Sequence, residues 1–214
     1  MNTQTTSATT STYDRVIRIA LKQKLTTELA SYRLKSKCPA DIIEELGVKN
    51  GAVRIDMAVV NGIMHGYEIK SDRDTLHRLP NQMNEYNKVF DKITLVVGIS
   101  HLHEAINLIP DWWGLKLAKI NPNNEVIFYN IREAENNRIQ NVISVARLLW
   151  REEALQILEE KNMARGVRSK SREEIYKRLA EVVEIEFLKE KVRQTLLTAR
   201  EDWRFGTKPT SYGD

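Results

Sequence analysis

Apolar residues recur at helical spacing over residues 13 to about 34, where Val16, Ile19, Ala20, Leu25 and Leu29 share one stripe. Residues 41–46 follow, read here as a short helix that carries Glu44 and Glu45 at its end and is closed by Gly47. Two runs of strand character come next, 52–60 and 63–71, separated by the hairpin signal Asn61-Gly62. Pro80 suits a first helical position and predicts a helix over 81–90. The unbroken apolar run 93–98 predicts a strand buried on both faces. A short helix over 102–108, a stretch at 114–120, a turn at 121–124 and a return strand at 125–130 complete the middle of the chain. From about Arg138 the pattern is helical almost to Arg200. Strands in the middle and helices at the end predict an α/β fold, a mixed central sheet flanked by helices with a helical C-terminal extension.

The hairpin sets a register. A two-residue turn at Asn61-Gly62 would put Asp56 opposite Tyr67, with Glu68 on the other face. A three-residue loop or a bulge puts Asp56 opposite Glu68, Met57 opposite Tyr67 and Ile55 opposite Ile69. A one-residue slip inverts every side chain, so burial of a shared apolar face selects the second register. Glu68 and Lys70, two apart on a strand, then point to one spot while Ile69 points into the core. Asp56 joins them, giving two carboxylates and an ammonium around a small volume. That set suits a hard divalent cation and a water poised to attack phosphate. The bland alternative is a surface ion pair between Glu68 and Lys70. Against it, Asp is a poor strand former inside an apolar run. Two carboxylates about 4 Å apart also repel by roughly 4 kcal/mol at an effective dielectric near 20, a cost that a metal or Lys70 would offset.

The motif Ile55-Asp56, eleven intervening residues, then Glu68-Ile69-Lys70 resembles the PD-(D/E)xK nuclease superfamily, with Ile55 in place of its Pro. The wider segments GYEIKSDRDTLHRLPNQ, VFDKITLVVG and IPDWWG are similar to a small bacterial and phage family within it. The resemblance implies a restriction-endonuclease-like fold and Mg2+- or Mn2+-dependent hydrolysis of DNA phosphodiester bonds. Asp56 and Glu68 would then hold the ion, the carbonyl of Ile69 would add a ligand, and Lys70 would orient the attacking water. In related nucleases a Glu of the preceding helix reaches the metal, and Glu45 is the match here. Gln82 and Tyr86 stand four apart, hence on one helical face, and resemble the Gln-x-x-x-Tyr motif of RecB-like nucleases that lines the cleft. The other reading has Tyr86 in the core with Met83 and Phe90. Arg73 and Arg78 follow the catalytic strand and are candidates for phosphate contact.

Composition narrows the picture little. The net charge of +4 permits nucleic-acid binding without requiring it. A single Cys excludes an intramolecular disulfide and fits a reducing cytoplasm. No apolar stretch approaches 18 residues, so no membrane span is expected. Residues 1–12, rich in Thr and Ser, are expected to be a disordered leader, and 203–214 a flexible tail, with a nuclease-like core at 13–135 and the helical extension at 136–202. Within 161–178 the basic residues Lys161, Arg165, Arg168, Lys170, Arg172, Lys177 and Arg178 face only Glu173 and Glu174, a density suited to phosphate. This part resembles SAP DNA-binding modules; an ordinary helical lid is the alternative.

The expected function is therefore a metal-dependent deoxyribonuclease with DNA as partner. The alternatives are a non-catalytic nucleic-acid-binding or regulatory protein on the same fold, or a defence or toxin nuclease that needs a partner protein. A homodimer is compatible with each.

Overall fold

The computed structural model describes residues 11–198. The expected leader and tail therefore lie outside the described residues, apart from positions 11 and 12. Thr12 is buried, and its backbone N–H and hydroxyl each donate to Asp72 Oδ2 at 2.7 Å, so the chain is already anchored at this point.

Six strands form one mixed sheet in sequence order: β1 (Asp41–Val48), β2 (Val53–Val60), β3 (Met64–Lys70), β4 (Lys92–Val97), β5 (Gly114–Ile120) and β6 (Val126–Arg132). The first three are antiparallel neighbours, β3–β4–β5 are parallel, and β6 returns antiparallel to β5. The two parallel steps cross over through α2 (Leu79–Tyr86) and α3 (Leu102–Leu108). Two crossovers in the same direction and of one hand put both helices on one face. Tyr86 of α2 and Ala105 of α3 accordingly belong to one buried cluster.

The opposite face is covered by α1 (Asp14–Ser36), through Ile17, Leu21, Leu25 and Leu29. Their spacing of four makes one stripe, and each fully buried aliphatic side chain contributes about 1.5–3 kcal/mol before conformational entropy is subtracted. The stripe is offset from the one expected, because Ile19 is half exposed. The helix stops at Lys37, whose left-handed φ of 56° lets its N–H reach back to the Arg33 carbonyl.

The expected helix at 41–46 is strand β1. Its Ile-Ile-Glu-Glu-Leu pattern fits helical spacing, but pairing with β2 from Asp41↔Val60 to Val48↔Val53 overrides it. The β2–β3 hairpin has the expected three-residue loop, since Val60 pairs with Met64 and Met57 with Tyr67. The shared apolar face is only partly as expected. Met57, Tyr67 and Ile69 pack against α1, whereas Ile55 lies in the cluster on the other side.

Residues 138–198 break into α4 (Val142–Ala146), α5 (Arg151–Glu160), α6 (Arg172–Val182) and α7 (Ile185–Thr198). Ser171 caps α6 in a reciprocal box with Glu174, whose Oε2 accepts from the Ser171 N–H at 3.2 Å. These helices do not stand apart from the sheet. One buried cluster joins Val60, Phe90 and Trp113 to Leu148, Ile175 and Leu196, so the core runs across the 135/136 boundary. A buried ion pair, Lys189 Nζ to Asp91 Oδ1 at 2.6 Å, ties α7 to the start of β4. Trp113 is a packed residue, its Nε1 donating to Asn87 Oδ1 at 2.8 Å. Among the described residues no helix is long and apolar enough to cross a membrane.

Candidate functional site

Side-chain alternation reverses in two facing places. In β2, Ile55 and Met57 should share a face but lie in different clusters; in β1, Ile42 and Leu46 do the same. The reversals meet, because Leu46 pairs with Ile55 and Glu44 with Met57. Glu45, at the turning point of β1, has φ 53°. A non-glycine residue in the left-handed region is strained and needs surrounding contacts to hold it. The result is that Glu45 and Asp56 both present their carboxylates to α1.

Arg18 of α1 receives them. Its Nη1 donates to Glu45 Oε1 at 2.8 Å and its Nη2 to Asp56 Oδ1 at 2.5 Å, while Asp14 one turn earlier accepts from Nε at 3.2 Å. The second Asp56 oxygen, Oδ2, accepts from the Ile69 N–H at 2.6 Å. The recorded β2–β3 ladder ends at Met57↔Tyr67, so the Asp56 side chain serves β3 where the backbone pairing stops. Burial pushes the Asp56 carboxyl up against the opposing pull of the Ile69 N–H and Arg18. Burial works against the Arg18 charge as well, but Asp14 and Asp56 outweigh it and hold the guanidinium more firmly protonated than usual.

Glu68 and Lys70 project from β3 toward α2, and both are buried. Lys70 Nζ donates to Glu68 Oε1 at 2.7 Å, and Gln82 Nε2 donates to the same oxygen at 2.6 Å. Glu68 Oε2 lies 2.9 Å from the Tyr86 hydroxyl, which also contacts the Arg54 carbonyl. One hydroxyl hydrogen cannot serve both oxygens. A protonated Glu68 resolves this by donating to Tyr86, which donates onward to Arg54. Burial and then Asp56 push the Glu68 carboxyl up to about 7, which makes that proton available near neutrality.

The sequence-predicted residues thus meet in part. Asp56, Glu68, Lys70, Glu45, Gln82 and Arg78 line one cleft of about 470 Å³ between α1 and α2. Tyr86 does not line it: the ring is fully buried in the core, and its hydroxyl reaches Glu68 from behind. Glu45 arrives from a strand, and Ile69, which also lines the cleft, meets Asp56 through its N–H. Arg73 points elsewhere, its guanidinium 5.4 Å from the Tyr13 ring. Arg165, Arg168, Lys170 and Arg172 are exposed between α5 and α6 and do not line this cleft. Arg18 and Asp14 were missed. Their only sequence signal is the four-residue spacing of an acid and a base on α1, which many surface helices share.

A divalent ion does not fit this arrangement. All four oxygens of Asp56 and Glu68 are engaged by protein partners, and a guanidinium joins Asp56 to Glu45. Among the described residues no group of three or more His, Cys, Asp or Glu side chains is arranged to hold a metal.

A solved protein of unknown function from Silicibacter pomeroyi aligns with 73% of this chain and 94% of its own, at 15% identity and a TM-score of 0.40. Protein cII of Enterobacteria phage P4 is 36% identical over 83 residues, which cover 39% of this chain and 29% of that protein. The match thus spans under a third of the relative's length. The family described as Bacteriophage P4 protein cII matches residues 14–204. These matches overturn the expectation of a metal-dependent nuclease, and with it the designation as a hydrolase of the PD-(D/E)xK type. By a family match over most of its length, the chain belongs to the Bacteriophage P4 protein cII family.

Proposed function

We propose that this chain is a non-catalytic, nucleic-acid-binding regulatory protein, acting in the cytoplasm on a restriction-endonuclease-like scaffold. The hairpin β2–β3 followed by the crossover to β4 through α2 supports that reading of the scaffold. Arg18, joined to Asp56 and Glu45, gives a role to the cleft carboxylates that needs no chemistry: they fix α1 to the sheet.

The observation that carries the binding reading is the connection between α5 and α6. Lys161, Arg165, Arg168 and Lys170 are exposed on it, and Arg172 opens α6. Part of this charge is compensated by acids outside the window counted in the sequence. Arg168 Nε meets Glu159 at 3.1 Å and Arg178 meets Glu181 at 3.3 Å. Arg168 nonetheless keeps 67% side-chain exposure, and exposed pairs of this kind exchange readily for phosphate.

Binding to duplex DNA, followed by fluorescence anisotropy across a salt series, tests the proposal. Affinity should fall with salt at a slope near −0.9 per phosphate contacted, and EDTA should leave it unchanged. Replacing Arg165, Arg168 and Lys170 together with Ala should flatten the slope by roughly two to three units. Absence of salt-dependent binding to duplex or single-stranded DNA would overturn the reading.

A further inference from the structure

The sheet ends in two edge strands, β1 and β6, and the fold treats them differently. β1 carries Asp41, Glu44 and Glu45, and its irregularity at Glu45, with φ 53°, breaks the line of the edge. Charge and local irregularity are the usual means of keeping a further strand off an edge. β6 lacks both over most of its length. Its pairing with β5 is regular from Val126 to Asn130, and the one shift falls at Ile131. That regular stretch, Val-Ile-Phe-Tyr-Asn, carries no charge. Arg132, which follows it, is committed to the carbonyls of Trp113 and Pro110 at 2.7 and 2.9 Å.

The outer side of β6 is open. Asn121 N–H donates to the Glu125 carbonyl at 2.9 Å, and the pairs Lys119↔Ile127 and Leu117↔Tyr129 continue that bonded series. The backbone groups of Ile127 and Tyr129 therefore face β5, and those of Val126, Phe128 and Asn130 face outward. Among the described residues no strand pairs with them. The chain that leaves β6 turns back over β5, where Ala134 lies against Gly114 and Glu135 N–H donates to the Trp112 carbonyl at 2.9 Å. Side chains repeat the pattern. Val126 and Phe128 pack toward α1, whereas Ile127 and Tyr129, on the other face, are exposed.

We infer that β6 pairs with β6 of a second copy of this chain, antiparallel about a twofold axis at Phe128, joining two sheets into one. That axis sets Phe128 opposite Phe128 of the partner copy, Ile127 opposite its Tyr129 and Val126 opposite its Asn130. The outward-facing residues then meet as hydrogen-bonded pairs. Ile127 and Tyr129 meet where side chains approach most closely, and a β-branched residue against an aromatic is a favourable cross-strand pair. The charge pattern selects this occupant. Antiparallel pairing opposes no like charges along the regular stretch and sends the two copies of Arg132 to opposite ends, whereas parallel pairing would set them side by side. Association closes at two copies, because the blunted β1 edge offers no further strand a place.

Sedimentation velocity of the full chain without DNA, over about 1 to 100 μM, tests the inference and is independent of the binding proposed for the α5–α6 connection. The chain should pass from monomer to dimer across the series. Ile127→Lys combined with Tyr129→Lys, both at exposed positions, should weaken association at least about tenfold, with the melting temperature of the monomer unchanged. Asn130→Pro removes an outward N–H and no bond to β5, and should weaken association by a similar factor. In a Cys38→Ser background, Phe128→Cys should cross-link two copies on oxidation, and Ile131→Cys, far from its own symmetry mate, should not. A monomer throughout the series would leave the edge to a strand of another protein and overturn the inference. So would a dimer that both edge variants leave intact, or cross-linking through Ile131→Cys alone.

Discussion

Two clefts of the molecule differ in how their charges are settled. Between α1 and α2, each carboxylate is answered from within the chain: Asp56 and Glu45 by Arg18, Glu68 by Lys70, Gln82 and Tyr86. In a second cleft, at the α4–α5–α6 junction, Arg147 meets Glu173 at 2.8 Å and Arg151 meets Glu152 at 3.5 Å, and both acids are exposed to solvent. Taking charge out of water is costly unless a partner is supplied, so the first cleft is stable as it stands. The second holds its pairs at the surface, where water already solvates the charges and each pair is worth little. Charged residues in a concave place thus differ in weight according to how deeply the fold buries their pairs.

The strongest way to break the contrast is to unpair the first cleft. Arg18→Ala leaves Asp56 largely buried and Glu45 in a strained conformation without its holding contact. It should cost about 3 kcal/mol in chemical denaturation. Asp56→Ala added to it should recover part of that loss, because the orphaned charge is gone. A double variant no more stable than Arg18→Ala would mean that the pair is not coupled.

Next in size is the pH response of Glu68. Its folded pKa of about 7 lies above the ordinary 4.5, so the folded state holds a proton that the unfolded state releases between these values. Stability from this group is therefore fully present below about pH 4.5 and is lost as pH rises through 7. The fall should be on the order of 3 kcal/mol. Glu68→Gln should flatten the curve across that window. A variant with the same slope as wild type would assign the response to another group.

Much of this region is legible in the sequence because its determinants are local. The Asn61-Gly62 signal and the alternation around it place Met57 opposite Tyr67, and the four-residue spacing of Gln82 and Tyr86 brings both to Glu68. Arg18 is not legible, since its partner at Asp56 lies 38 positions away and is set only by how α1 docks. Strand β1 is misread for a related reason. Its irregularity at Glu45 breaks the period of two that would have marked it as a strand. Arg147, Arg151 and Arg172 belong to different elements, and no spacing announces their meeting.

A smaller effect is expected from Tyr86→Phe, which removes a hydroxyl between Glu68 and the Arg54 carbonyl and should cost about 1 kcal/mol. It should also shift the pH response of Glu68, which a simple packing loss would leave alone. The smallest concerns the connection between α5 and α6. The triple Ala variant at Arg165, Arg168 and Lys170 should change stability by no more than about 0.5 kcal/mol, because these side chains are exposed. A larger loss in a thermal melt would mean that the connection is part of the fold's support.

The ion pair between Asp91 and Lys189 has a consequence for how the protein is made. Asp91 leaves the ribosome 98 residues before Lys189, an interval of roughly 5–20 seconds at ordinary elongation rates. Until α7 follows, the cluster that Leu188, Val192 and Leu196 later complete lacks part of its cover, and the Asp91 carboxylate has no ammonium. The nascent chain therefore spends those seconds with its core incompletely covered, and apolar surface stays open to chaperones and proteases. A chain cut short before α7 would stay in that state.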